Sequence, residues 1–340
     1  MRALFIEAPG QPTLGSLPEP KYAADELLLR VQTVGFCGSD LNTFRGLNPL
    51  VSYPRVPGHE VAAVVAAIGT EVPAGHFREG MTVTVVPYTA CGRCAACRRG
   101  RSNACRDNQT LGVQRDGALT EWIAAPWTKV LSAEGLLPRE LALVEPLSVG
   151  FHAASRGRVE AGDRVMVIGC GAVGLGAVAA AASVGAEVIA IDVDPRKLDL
   201  GRAAGASHTL DNRRVSLHEA LRELTEGEGP DVVIEAVGLP ETFLVAVQEV
   251  AFTGRVVYIG YAKAPVAYDT AQFVKKELDI LGSRNATPQD FQAVIDLLAS
   301  GAFPSESAVT RVVALEEAAD ALRAWSEDPA SVTRIHVNLF

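Results

Sequence analysis

The 340-residue chain is poor in cysteine, aromatic residues and positive charge. Outside one cluster its only cysteines are Cys37 and Cys170, too few for the disulfide framework of a secreted, loop-rich protein. Aromatic residues make up 6%, and 31 Lys and Arg face 40 Asp and Glu, a formal charge of −9. A nucleic-acid partner is therefore not expected, because it would need a basic face with interleaved aromatics. A long apolar run is also missing. The longest, Val173–Ala186, is rich in Ala and Gly and shorter than the roughly 20 residues of a membrane-spanning helix. The opening residues Met1-Arg2-Ala3-Leu4-Phe5-Ile6-Glu7 lack the apolar region of a signal peptide. The expectation is a soluble protein of the reducing cytoplasm, with no membrane partner. What remains is a chain with 48% hydrophobic residues, long enough to bury two cores.

Those residues fall into two rhythms. Up to about residue 150 the chain reads as β-rich, with short apolar runs at Leu27–Val31, Val61–Ile68 and Met81–Val86 broken by Pro and Gly. From about residue 160 strands and helices alternate. Apolar runs at Arg164–Ile168, Glu187–Ile191, Asp231–Glu235, Arg255–Ile259 and Leu278–Leu281 are separated by helical stretches. That alternation predicts an α/β domain with a doubly wound parallel sheet. The expected organisation is 1–150, 151–286 and a return of 287–340 to the first domain, with a helix at 290–300 and a last strand near 333–339.

Four cysteines stand at Cys91-x2-Cys94-x2-Cys97-x7-Cys105, in a lobe spanning 88–106. Four thiolates at this spacing can enclose one tetrahedral Zn2+ and leave no position for a substrate, which makes it a structural site. Five arginines (Arg93, Arg98, Arg99, Arg101 and Arg106) accompany it and read as a solvated loop.

Gly169-Cys170-Gly171-Ala172-Val173-Gly174 follows a strand, opens a helix and precedes a strand ending in Asp192. In that context the pattern predicts dinucleotide binding. Gly169 permits the turn, Gly171 lets backbone approach a pyrophosphate, and Gly174 brings helix and strand together. Ala172 and Val173 open a helix whose N-terminus favours phosphate. Asp192 would accept from ribose hydroxyls and, with Asp194, disfavour a 2′-phosphate, so NAD is expected over NADP. Lys197 is a candidate to flank the adenosine. Cys170 reads as a small filler of the turn.

Cys37, in Gly35-Phe36-Cys37-Gly38-Ser39-Asp40, joins Gly58-His59-Glu60 and Glu145-Pro146-Leu147-Ser148 to offer a thiolate, an imidazole and carboxylates. This set suits a catalytic zinc with one open position. On these segments, with the four-cysteine lobe and the glycine motif, the whole chain resembles the zinc-dependent medium-chain dehydrogenases of the sorbitol-dehydrogenase-like kind. The resemblance implies a GroES-like catalytic domain and a Rossmann coenzyme domain with the active site in the cleft between them. It also implies two zinc ions per chain, with the catalytic one on Cys37, His59 and either Glu60 or Glu145, and a homo-oligomer, tetramer or dimer. Tyr53–His59, Val86–Cys91 and Lys275–Phe291 further resemble sugar-acid dehydrogenases of the bacterial L-galactonate 5-dehydrogenase type. Within the last segment Arg284 could pair with a substrate carboxylate or with the cofactor.

The chemistry implied is oxidation of a secondary hydroxyl of a polyhydroxy acid or polyol, with hydride passing to NAD. Ser39 would take the hydroxyl proton. Many relatives end that relay in a histidine three residues later, where this chain has Asn42, which does not titrate near neutral pH. The alternatives are a neutral polyol or threonine-like amino alcohol as substrate, or a non-catalytic zinc-binding regulatory protein of the same fold.

Overall fold

A computed structural model describes residues 1–329 and 332–340. Its contacts divide the chain into two compact units: Met1–Glu145 with Ile295–Ser300 and Ser305–Phe340, and Pro146–Val294 with Gly301–Pro304. The first division falls after Glu145, not after residue 150, because one helix, Pro138–Arg156, carries the chain across that point without a loop.

The first unit contains β1 (Arg2–Ala8), β2 (Gln11–Ser16), β3 (Glu26–Phe36), β4 (Glu60–Ile68), β5 (Thr82–Val85), β6 (Trp122–Pro126) and β7 (Val130–Ser132). The second holds β8 (Arg164–Ile168), β9 (Glu187–Asp192), β10 (His208–Asp211), β11 (Val232–Glu235), β12 (Arg255–Tyr258) and β13 (Asp279–Gly282). The chain then supplies β14 (Arg311–Ala314) and β15 (Ile335–Asn338) to the first unit.

In the first unit, β1 and β2 form a hairpin, and a seven-stranded sheet runs β14-β15-β3-β4-β5-β7, with β6 also on β3. β3 is the hub. It pairs antiparallel with β4, β6 and β15, so residues far apart in sequence meet on it, Phe36 opposite Ile335 and Gly35 opposite both His336 and Glu60. Its side chains alternate in burial, and Leu27, Leu29, Phe36, Val61 and Ile335 enter one apolar core, as a half-buried antiparallel strand should.

In the second unit the sheet order is β10-β9-β8-β11-β12-β13, all parallel. β8 and β11 are neighbours on either side of the point where the chain reverses its direction of travel across the sheet. In such sheets the crevice at that point, beyond the strand C-termini, is where ligands bind. Met166, Ile189, Val233 and Val256 fill the core beneath it. No helix among the described residues is long and apolar enough to cross a membrane.

Candidate active site

Three segments of the first unit build one cluster. Cys37 ends the approach from β3 and caps the helix Gly38–Phe44. Its Sγ accepts from the Ser39 backbone N–H at 3.1 Å, and Asp40 Oδ2 accepts from the Cys37 N–H at 2.9 Å. This reciprocal arrangement is a capping box. The other oxygen of Asp40 accepts from the Gly58 N–H at 3.2 Å. One buried carboxylate thus ties the Cys37 turn to the loop carrying His59. The result is Cys37 Sγ at 3.2 Å from His59 Nε2.

Glu60 opens β4 opposite Gly35. A Cβ on Gly35 would lie 2.0 Å from Glu60 Oε2, so only glycine leaves room for this carboxylate. Glu60 Oε1 accepts from Arg334 Nη1, which also donates to the Phe36 carbonyl at 3.0 Å. Glu60 is wholly buried, and burial raises its carboxyl to about 7 despite Arg334 and His59.

The ligand atoms of Cys37, His59 and Glu60 all lie within 4.8 Å of one another. Glu145 stands outside that set but close enough to influence the charge of both His59 and Glu60. It accepts from the phenol of buried Tyr88, whose pKa rises well above its usual value through burial and the Glu145 charge. Burial would push the His59 imidazole down. The Cys37 sulfur, backed by Asp40 and Glu145, outweighs it and holds His59 well above its ordinary range.

A cation fits this cluster on two observations. Glu60 Oε2 is buried without a hydrogen-bond partner, and negative groups converge on a single imidazole, which takes up the proton that a dication would replace. Ser39 Oγ is 2.8 Å from Cys37 Sγ, at the edge of the set.

The second cysteine site is different. Cys91, Cys94, Cys97 and Cys105 also lie within 4.8 Å of one another. Cys94 Sγ is 3.5 Å from Cys97 Sγ and 3.9 Å from Cys105 Sγ. Zn–S bonds of about 2.3 Å in a tetrahedron place sulfurs about 3.8 Å apart. All four thiols are free of disulfides. Backbone N–H groups of Arg106 and Cys97 pull Cys94 down to about 6, so it presents a thiolate to a cation at neutral pH.

In the second unit, β8 runs into Gly169, whose φ is +96°, and Gly171 caps the helix Ala172–Ser183. A Cβ on Gly174 would sit 1.8 Å from the Gly169 carbonyl, whereas one on Gly171 would meet nothing within 4 Å. Gly174 is therefore required by the fold, while bare Gly171 leaves open space over the helix N-terminus, as a close-approaching pyrophosphate needs. Asp192 Oδ2 accepts from the Cys170 N–H at 2.8 Å, and Oδ1 accepts from the N–H groups of Val193 and Asp194. The acid is fixed at the mouth of the turn.

Asp194 caps the next helix and pairs with Arg196 at 2.8 Å. Lys197 sits near enough to bias both Cys170 and Asp194. Burial, with Asp192 adding to it, pushes the Cys170 thiol up to about 12, consistent with a filler and not a nucleophile. Arg284 lies half-buried in the loop after β13. That loop is at the same edge of the sheet as the glycine turn, but β11 and β12 intervene.

Asp40, Tyr88 and Arg334 were not singled out as site residues from the sequence. Asp40 had a readable signal, the three-residue capping-box spacing from Cys37. Nothing local could have linked Arg334 to Glu60.

Residues 23–135 match the model of the alcohol dehydrogenase GroES-like domain, and 172–300 match that of the zinc-binding dehydrogenases. Among curated proteins, the chain is 33% identical to the L-galactonate-5-dehydrogenase of Escherichia coli K12, with 91% of each chain covered. It is 35% identical to the sorbitol dehydrogenase of Bacillus subtilis 168, covering 95% of this chain and 92% of that one. Among solved structures, the short chain alcohol dehydrogenase RspB of Escherichia coli CFT073, complexed with NADH, superposes with a TM-score of 0.91. The two are 29% identical, over 100% of this chain and 99% of that one.

The chain belongs to the zinc-dependent medium-chain alcohol dehydrogenases, with a GroES-like domain and a Rossmann domain. Within that family it falls among the polyol and sugar-acid dehydrogenases.

Proposed function

We propose that the protein oxidises a secondary hydroxyl of a sugar acid of the L-galactonate kind, using NAD and two zinc ions per chain. The observation that carries the zinc chemistry is the convergence of half-buried Cys37 with buried His59 and Glu60, three different ligand types with no fourth donor in the set among the described residues. Such an incomplete set leaves a position for substrate. When bound, zinc would supply a Lewis acid that lowers the pKa of a hydroxyl, and NAD would supply the hydride acceptor.

Cys37 Sγ, His59 Nε2 and a Glu60 oxygen hold the metal in this reading, and Glu145 stands by, held by Tyr88. Ser39 Oγ takes the proton from the substrate hydroxyl. Asn42, one helical turn later, cannot accept it as a base, so it leaves through solvent. The four cysteines from Cys91 to Cys105 hold the structural ion. Gly169, Gly171, Ala172, Val173 and Gly174 seat the pyrophosphate, and Asp192 receives the ribose hydroxyls. Two carboxylates at Asp192 and Asp194 oppose a 2′-phosphate, which supports NAD over NADP. Lys197 flanks the adenosine, and Arg284 is assigned to the coenzyme.

A neutral polyol is the second reading. The identity to the sorbitol enzyme, 35%, is no lower than that to the L-galactonate enzyme, 33%. Reduction of NAD measured over aldonates, polyols and amino alcohols, with zinc content determined in parallel, tests both. Turnover with an aldonate and two zinc ions per chain are expected. Turnover confined to neutral polyols would select the second reading, and none with any secondary alcohol would reject both.

The protein is proposed to act in the cytoplasm as a homo-oligomer, tetramer or dimer. In support, all six cysteines are free, edge strand β13 exposes Ile280, and the helix Ala271–Lys275 before it exposes Val274. Sedimentation at working concentration would test assembly, and a monomer would reject it.

A further inference from the structure

β14, β15 and β3 lie side by side in the sheet of the first unit. Val313, Ile335, Val337 and Val34 enter the apolar core. The alternation of a strand puts their neighbours on the other face. There Val312 stands opposite His336, and Asn338 opposite Thr33.

His336 is out of place on that face. It is fully buried, yet neither ring nitrogen has a hydrogen-bond partner. Burial, with the charge of Arg334 adding to it, pushes the imidazole down to about 3. The ring is therefore neutral and presents one N–H and one lone pair. A buried polar group left unmatched costs stability, and folded proteins seldom keep one without a use.

A cavity of about 520 Å³ opens beside the ring, a size that suits a small molecule. His336, Thr33 and Asn338 line it, with Arg30 from β3, Arg139 from the helix Pro138–Arg156, and Phe340. No side-chain carboxylate lines it. Arg30 makes no ion pair among the described residues, and its guanidinium lies 5.2 Å over the Phe340 ring, which steadies it. Arg139 meets only the exposed carboxylate of Glu306, at 3.6 Å. Thr33 Oγ1 donates to Asn338 Oδ1 at 2.9 Å, so the amide keeps its Nδ2 hydrogens for another acceptor. Cations and donors thus surround a space that lacks negative charge.

The cavity is separate from the Cys37 cluster. None of Cys37, His59, Glu60 or Glu145 lines it. Gly35 pairs with Glu60 on one side and His336 on the other, so β3 stands between the two places, across about 10 Å of sheet.

We infer that this cavity is a second small-molecule site, which takes a hydroxylated carboxylate or phosphate ester. Arg30 and Arg139 meet the charge. The His336 ring meets a hydroxyl, which, like the neutral imidazole, both donates and accepts.

Ligand-observed NMR titration of the zinc-loaded enzyme, without coenzyme, tests this with glycolate, hydroxyethyl phosphate and neutral ethylene glycol. At least one anion should bind about 10-fold or more tightly than the neutral diol, and the tighter of the two names the charge that the site takes. Arg30→Gln and His336→Leu should each weaken that anion about 10-fold, whereas Cys37→Ser should leave it unchanged. Arg30 is only half-buried, so its variant reads binding without disturbing the core. His336→Leu should melt no lower than the parent, because it removes an unmatched buried polar group. Absence of anion binding, binding lost with Cys37 instead of His336 and Arg30, or a lowered Tm in His336→Leu would each overturn the inference.

Discussion

The two cysteine centres solve opposite problems with overlapping chemistry. The lobe from Cys91 to Cys105 takes four like ligands from one short segment, supported largely by that segment's own backbone N–H groups. The Cys37 centre draws on a helix cap, a loop, the head of β4 and an arginine beside β15. Four equal thiolates satisfy a zinc ion completely and make it inert. On the proposed reading, three unequal ligands, two of them buried, backed by further carboxylates would leave it reactive. A closed centre can be written locally, whereas an open one needs the tertiary fold to hold it short of completion.

That contrast can be broken by mutation. Cys37→Ser should lower kcat by about 10³-fold or more, since the metal supplies several kcal/mol of transition-state stabilisation. Its melting temperature should stay close to that of the parent. An active Cys37→Ser enzyme would reverse the assignment of the two centres.

Cys97→Ser should do the opposite. Loss of the structural ion should lower Tm by roughly 5–10 °C, while the folded fraction keeps its kcat. Calorimetry and rate measurements on one preparation decide it, and a stable but inactive variant would count against the lobe as a brace.

Arg334→Gln leaves Glu60 buried without its cationic partner. Zinc affinity at the open centre should fall about 10- to 100-fold. Mild dialysis should then leave one zinc per chain, retained by the four cysteines. Two retained ions would show that Arg334 does not support Glu60.

Asn42→His places a titratable group one turn beyond Ser39. The acid limb of the pH–rate profile should move, and an unaltered profile would remove position 42 from proton transfer.

The smallest effect lies away from both centres. Burial opposes the Asp290 charge, but hydrogen bonds from His152 and Thr287 outweigh it and lower the Asp290 pKa. A carboxyl lowered in the folded state stabilises fully above its unfolded value, and the stabilisation is lost as pH falls through the folded one. Asp290→Asn should therefore cost about 1 kcal/mol near neutral pH. The difference from the parent should fade below about pH 4, with both zinc ions retained. A Tm gap independent of pH would refute it.

Much of this architecture was legible in sequence. The parallel strands β8, β9, β11 and β12 carry apolar runs, because both faces of that sheet are covered there; β13 was legible from Leu278–Leu281 although it lies exposed at the edge. β10 was missed: His208-Thr209-Leu210-Asp211 is short, polar and half-buried throughout. β14 was missed because Arg311, Val312 and Ala314 face outward. The β1–β2 hairpin carries no glycine-led two-residue turn of the usual strong kind.

The sites divide in the same way. The closed centre and the glycine turn are written in consecutive residues. The open set needed separate motifs to be summed, and Asp40 was readable only as a capping residue. Arg334 acts through a partner that only pairing and packing define, through a strand register linking residues about 300 positions apart.

That register gives the two centres different birth dates. The lobe's four sulfurs leave the ribosome almost together, so it can trap its ion while most of the Rossmann domain is still unmade. Glu60 gains its arginine only when the segment carrying β15 has been synthesised and laid between β14 and β3, because loop closure over so long a span comes late. Until then its carboxylate sits beside Cys37 and His59 without its counter-charge. Metal loading is thus expected in two stages. The inert ion enters first, and the reactive site becomes competent only after the final strand has docked.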